Sequence, residues 1–386
     1  MNEENKIIGN RDEERQIPKL LRQAGQDKVI DVVVKGVEDT SLEERFSPKG
    51  IILGLEKIAE VDAKGVKDIS LSSIEDNVKV AVADYNGVRL FDLLDDASND
   101  YTLTLCDSIT FGPAHAVAFT NNGEYIAAGY EYDKKNCFNI FSTSSSEHIK
   151  HSIEHPSEID KIEFDSNADY LAIYYDGTAQ ARILRFRKHP DYCLDLLSDK
   201  VGLFDVSISP DGAYVVSAYH QSASVFEVPR GLPGQLKRIE SVGFDDSVRH
   251  VAFSPEISAR YMGPQHYLKD YYFAAATDRM IRIFKFLTPD KIEIIKGTNL
   301  VEIIKGTNLE RPNDINSIAL GHGNSLAVAY GHIASVYNLD EEKGLGFVLD
   351  IILPDTVLKA KFSPDGNWLA TACKDDRVRL YKVKRK

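Results

Sequence analysis

Lys361-Phe362-Ser363-Pro364-Asp365-Gly366-Asn367-Trp368-Leu369-Ala370-Thr371-Ala372, followed by Val378-Arg379-Leu380-Tyr381, is the stretch whose reading decides the fold. It predicts three short strands. Phe362 closes the first, and Asp365-Gly366 has the composition of a two-residue hairpin suited to the right-handed twist of paired strands. Trp368 to Ala372 forms the second strand, Lys374 to Arg377 a turn, and Val378 to Val383 the third.

Weaker copies of this module fill most of the chain. The residue closing the first strand of each copy is Leu71, Phe119, Phe164, Ile208, Phe253, Leu320 and Phe362, at intervals of 48, 45, 44, 45, 67 and 42 residues. The third strand carries Phe91, Phe141, Phe186, Phe226, Phe284, Tyr337 or Tyr381. Between them lies a strand of small residues, as in Ile126-Ala127-Ala128-Gly129 and Phe273-Ala274-Ala275-Ala276. Fourth strands are expected at Tyr101–Leu105, His148–Ile153, Cys193–Leu197, Leu236–Glu240 and Phe347–Ile352. Four-stranded units repeating at this period, seven times over, predict an all-β, seven-bladed β-propeller. The long interval holds an insertion, Ile257 to Asp270, and a tandem duplication, Ile292–Leu300 followed by Val301–Leu309. Either copy carries the right alternation for the fourth strand of that unit. The short turn Leu287 to Lys291 favours the first copy, leaving the second to loop out.

The module resembles a WD40 repeat, clearest in Ser209-Pro210-Asp211-Gly212 and Ser363-Pro364-Asp365-Gly366 and weaker in Ser254-Pro255. The resemblance spans residues 54–386, assigned as the propeller, with 1–53 as a polar N-terminal arm and degenerate or accessory unit. It departs from the family in plain ways. No third strand ends in Trp-Asp, Phe91-Asp92 being nearest, and only His115 and His250 approximate the usual histidine. Blade stability is therefore expected to rest on apolar packing. The resemblance also implies that a strand ahead of the first copy, Glu56 to Val61, completes the last blade beside Val378–Val383. Closure of that kind removes the open sheet edge on which chains aggregate.

Composition bounds the function. The chain has 386 residues, 43% of them hydrophobic, and no apolar run long enough for a membrane span. Its formal charge of −13 supplies no basic stripe for phosphates, which argues against nucleic-acid binding and for neutral or basic protein partners. The start, Met1-Asn2-Glu3-Glu4-Asn5-Lys6, lacks the pattern of a signal peptide, so the cytoplasm is the expected compartment. Lys382, Lys384, Arg385 and Lys386 leave a nuclear address open. Cys106, Cys137, Cys193 and Cys373 occur singly and read as small core residues of a reducing compartment.

Candidate chemistry is sparse. His148, His151 and His155 would share a helix face, but on a strand His151 and His155 stand about 13 Å apart, too far for one metal ion. Arg185-Phe186-Arg187-Lys188-His189 has the wrong order for the phosphoinositide motif of some propellers. No catalytic triad, phosphate loop or carboxylate pair stands out, so no cofactor, metal or catalytic residue is assigned. The informative column is the end of each second strand, with its neighbour. It holds Asp84 and Tyr85, Tyr130 and Glu131, Tyr175 and Asp176, Tyr219 and His220, Thr277 and Asp278, Tyr330 and Gly331, and Cys373 and Lys374. These positions lead into loops on one face, where tyrosines beside acids have the composition of a binding surface. The same rings could instead pack between blades. The expectation is a non-catalytic interaction scaffold for a protein or peptide, a monomer within a larger complex. The alternative is a hydrolase- or lactonase-like propeller enzyme with a small polar substrate in the central channel.

Overall fold

The computed structural model describes residues 51–74, 77–95, 101–109, 112–143, 148–155, 157–175, 180–186, 203–229, 236–255, 258–263, 266–278, 280–288, 291–299, 314–340 and 344–386. These form seven antiparallel sheets, each wound outward from an inner strand. Blade 1 runs Asp68–Ile74, Asn77–Asp84, Gly87–Asp95 and Tyr101–Ile109. Blades 2, 4 and 6 repeat it with inner strands Ala114–Phe119, Leu203–Ile208 and Ile315–Gly321. Blade 3 shows Ile159–Phe164, Tyr170–Tyr175 and Gln180–Arg185; the fourth strand expected at Cys193–Leu197 lies outside the described residues.

Blade 7 consists of Val357–Phe362, Trp368–Cys373 and Arg377–Arg385, with Ile52–Asp62 on its outer edge. Leu55 faces Val383, Glu56 faces Lys382 and Val61 faces Val378, so the chain's early strand closes the ring in the expected place. Its apolar side chains explain why. Ile52 and Leu55 enter the layer between blades 6 and 7, while Ile58, Ala59 and Val61 pack against the layer between blades 7 and 1.

The hydrophobic core is distributed in the same way. Each of its seven clusters lies between two neighbouring blades. Small second-strand residues set the blade spacing. A Cβ on Gly129 would come within 2.7 Å of the Ile159 side chain in blade 3, so this position admits only glycine without displacing the next blade. The third-strand aromatics fill what the small residues leave, as where Phe273 and Phe284 stack at 4.8 Å.

The turn after the inner strand differs from the two-residue hairpin expected. Five residues, 363–367, connect Phe362 to Trp368. The Ser363 hydroxyl donates to Asp365 at 2.5 Å and accepts the Trp368 N–H at 3.0 Å, while Gly366 adopts φ +70°. A serine that replaces backbone partners makes a longer turn cheaper than a tight one. Thr120 and Ser209 repeat the device. In blade 3 Asp165 takes the serine's place, accepting the Tyr170 N–H at 2.7 Å, and burial pushes its carboxyl up to about 6.

Blade 5 absorbs both irregularities. Its insertion forms the hairpin Ser258–Gly263 with His266–Ala276, prolonging the second strand. The first duplicate copy, as Lys291–Asn299, pairs with Met280–Thr288, with Ile281 opposite Thr298. The second copy, 301–309, lies outside the described residues. Cys106 corrects the reading of the cysteines. Cys137 and Cys373 are buried, but Cys106 is exposed, because it sits at the bulge between Leu90 and Phe91 on an outermost strand.

Two deletions test this architecture. Removing residues 1–50 should leave a folded monomer, whereas removing 1–62 takes away the closing strand and should lower the melting midpoint by several degrees and produce aggregates in size-exclusion chromatography. Equal midpoints and elution for the two proteins would show that closure lies elsewhere. Deleting 301–309 should shift the midpoint by less than about 2 °C in a thermal melt, since one copy already supplies the strand.

Candidate functional site

The inner strands line the channel, and each offers neighbouring blades polar groups. Across the 1–2 seam Asp68 Oδ2 accepts the Val117 N–H at 3.1 Å and Ser70 accepts that of Phe119 at 2.9 Å. The 4–5 seam repeats this with Asp205 to Val251 at 3.0 Å and Ser207 to Phe253 at 2.9 Å. His115 faces the Glu158 carboxylate across the 2–3 seam, and Glu163 accepts the Ser207 hydroxyl at 2.7 Å across the 3–4 seam. His250 Nε2 meets the Ile315 carbonyl at 2.8 Å, Asn316 donates to Val357 at 2.8 Å, and Lys361 pairs with Asp68 at 2.7 Å to complete the ring.

The electrostatics of this ring are those of a support. Burial opposes the Lys161 charge, but Asp205 at 2.9 Å and Glu163 at 3.5 Å hold its ammonium above the usual range. Lys361, with Asp68 alone and Lys359 nearby, is pulled below it, chiefly by burial. Burial also depresses His250 to about 4, so its ring is neutral at pH 7. Asp68, Asp205, Glu163, His115 and His250 are thus engaged in holding blades together. Among the described residues no group of three His, Cys, Asp or Glu could hold a metal ion. On the outer strand His148–His155 of blade 2, His148 faces Phe141 and His155 faces Asn136 in the backbone register.

The face bearing the second-strand ends divides the expected binding residues in two. Tyr130, Tyr175 and Tyr330 are 6%, 2% and 2% exposed and belong to the layers between blades. The Tyr130 hydroxyl accepts from Asn139 at 2.8 Å, Arg182 lies over the Tyr175 ring, and Tyr330 shares a hydrogen bond with Ser335 at 2.9 Å. Asp84 is also buried, ion-paired to Arg89. Tyr219 is half-buried against the edge of His220. The following positions are the ones solvent reaches. Tyr85 and His220 are exposed, Glu131 and Asp278 half-buried, and Asp176 lies outside the described residues.

Three features of this face escaped the sequence reading. Tyr132 is 57% exposed, as open as Tyr85 at 56%, because the second strand of blade 2 runs on to Tyr132 before an Asp133-Lys134 turn with positive φ at both positions. Lys67 and Lys359, on the loop into blade 1 and on an inner strand, converge with Lys374 on a cleft of about 400 Å³. Gly65, at φ +66°, lies so close under the Tyr85 ring that a Cβ would be 2.1 Å from it. The C-terminal basic residues, by contrast, serve the last blade: Lys382 lies over Trp368, Lys384 pairs with Glu56, and Arg385 donates to the Gly366 carbonyl.

The channel ring has a pH signature. His250 is depressed from 6.5 to about 4, so below pH 6.5 the unfolded chain takes up a proton that the folded one refuses. Stability is therefore lost as pH falls from 6.5 toward 4, by up to about 3 kcal/mol from this group. His250→Gln keeps a donor for Ile315 and cannot titrate. Urea unfolding should show the variant losing about 2 kcal/mol less than wild type between pH 7 and 4.5. Identical losses would remove His250 from the account.

Comparison with known proteins agrees with this architecture. Residues 353–382 match the family described as WD domain, G-beta repeat. No curated protein matches the chain by sequence. Among solved structures it is similar to the β-propeller domain of Myceliophteria thermophila Cps50 (Swd1), at 11% identity and TM-score 0.60, covering 86% of this chain and 100% of that one. A chain of the Mitotic Checkpoint Complex is similar at 14% identity and TM-score 0.60, covering 88% and 99%. The last blade thus matches the WD repeat by sequence, and the chain as a whole has the fold of a seven-bladed β-propeller closed by an early strand.

Proposed function

We propose that this propeller is an interaction scaffold whose protein or peptide partner docks over the face formed by the second-strand ends and the loops between blades. The observation that carries the reading is the pair Tyr85 and Tyr132, each more than half exposed, on adjacent blades of that face. Large rings with a polar tip lose little entropy on contact and are enriched at binding hot spots. Glu131, His220 and Asp278 border them, and the buried Tyr130, Tyr175 and Tyr330 hold the blades that carry the face. The chain's charge of −13 favours a partner that is neutral or basic overall. Three unpaired cysteines, Cys106, Cys137 and Cys373, fit a reducing compartment such as the cytoplasm.

Photo-crosslinking tests the face directly. A benzoylphenylalanine placed at Tyr85 or Tyr132 should capture the same protein, while the same probe at Phe347, exposed on an outer strand, should not. Once that protein is in hand, Tyr85→Ala should cost about 2 kcal/mol or more of binding and leave the melting midpoint almost unchanged. Adducts from Phe347 alone would move the interface to the rim and end this reading.

A further inference from the structure

The cleft beside Tyr85 has a charge opposite to that of the chain. It opens where blades 6, 7 and 1 meet, and Lys67, Lys359 and Lys374 line it against a single acid, Asp376. That acid is exposed, and its Oδ1 accepts the Gly65 N–H at 2.7 Å. Among the described residues no carboxylate lies within ion-pair distance of the three ammonium groups. Lys67 and Lys374 are exposed, Lys359 is half-buried at the channel mouth, and Lys64 stands exposed on the same loop. Their field reaches inward: after burial, Lys67 helps keep a proton off His115, and Lys359 off His250 and Lys361.

Like charges gathered without counter-charges cost stability through repulsion, a cost that a bound carboxylate would relieve. The opposite part of the face, at blades 4 and 5, carries Asp245, Asp246 and Asp278 with Arg249. We propose that the cleft receives an acidic side chain, a glutamate or aspartate carried by an otherwise neutral or basic segment of the partner, with the adjoining chain laid across Tyr85. The inference rests on the docking face above and adds the anchor: the segment's acid sits at blades 7 and 1, and its remaining charge is free to be basic. Lysine suits this role because its flexible point charge accepts a carboxylate from several directions.

Fluorescence anisotropy with a labelled hexaglutamate peptide, and hexaglutamine as the neutral control, tests the anchor on the full chain. Hexaglutamate should bind saturably and more weakly as salt is raised, and hexaglutamine should not bind. Lys67→Glu with Lys374→Glu should weaken binding by about tenfold or more, because the reversal acts inside the cleft. Lys237→Glu with Arg238→Glu makes the same change in net charge on an exposed outer strand of blade 4 and should weaken it by less than about twofold. Absence of saturable binding to wild type, or equal losses in the two double variants, overturns the proposal; thermal melts of both show that neither loss is unfolding. If hexaglutamate fails while Tyr85 and Tyr132 still crosslink one partner, the anchor is wrong and the face stands. Normal peptide behaviour without those crosslinks would leave the cleft and remove the docking reading.

Discussion

Everything in this molecule depends on the packing of one blade's face against the next. A single four-stranded sheet here has two apolar faces and a polar outer strand, and alone it would bury neither face. Stacking seven of them in a ring creates seven shared layers, and each layer takes side chains from both of its blades. Fully burying one Leu, Ile, Val or Phe is worth about 1.5–3 kcal/mol, so the layers far outweigh any polar contact. The polar contacts matter for another reason. The inner strand of each blade would leave N–H and C=O groups facing the channel, and buried backbone groups must be paired. Asp68, Glu163, Asp205, Ser207, His250 and Asn316 supply those partners from the adjacent blade.

Packing in a ring makes closure a requirement of every seam at once. An open seventh seam would expose the apolar residues of blades 6, 7 and 1 together with a free strand edge. The strand Ile52–Asp62 prevents this by pairing with the chain's last strand and inserting into both flanking layers. The same logic explains what the fold tolerates. The hairpin Ser258–Gly263 interrupts a connection, not a layer, and blade 5 keeps its four-strand path around it.

Much of this was legible in the sequence because it repeats. Aromatic and small residues recurred at similar offsets, so blade number followed from the pattern; the closing strand at Glu56–Val61 followed from the WD40 resemblance, and the choice of the first duplicate copy from the short connection Leu287 to Lys291. The face was less legible, for a geometric reason. At the end of a strand, alternation decides whether a side chain enters a layer or reaches solvent, and one residue of register reverses the answer. Tyr130, Tyr175 and Tyr330 fell inside and Tyr85, one position later in its blade, fell outside, while Tyr132 shares Tyr130's side of the strand and is exposed at the strand's last residue, before the Asp133-Lys134 turn. The channel contacts were invisible for a different reason: Asp205 meets Val251 and Ser70 meets Phe119 across 46 and 49 residues, with no local motif to mark either. Cys106 misled because small size suggests a core residue wherever the outer strand's bulge is not foreseen.

Charge shows why position outranks composition. The net −13 of the chain describes its long-range field, yet the lysines around the channel form a graded series. Lys161 has two carboxylates beside it, Lys361 has one, and Lys67, Lys359 and Lys374 at the mouth have none among the described residues. A lysine in the channel wall without a counter-charge would be driven toward its neutral form by burial, so the interior ones exist only as members of pairs. At the mouth, water pays part of that solvation, and an unpaired ammonium can persist until something replaces the water. The interior pairs are therefore accounted for by the ring alone, while the unpaired lysines are accounted for by nothing in the ring. Among the described residues, the three lysines at the cleft thus stand where solvent, or another molecule, can reach them.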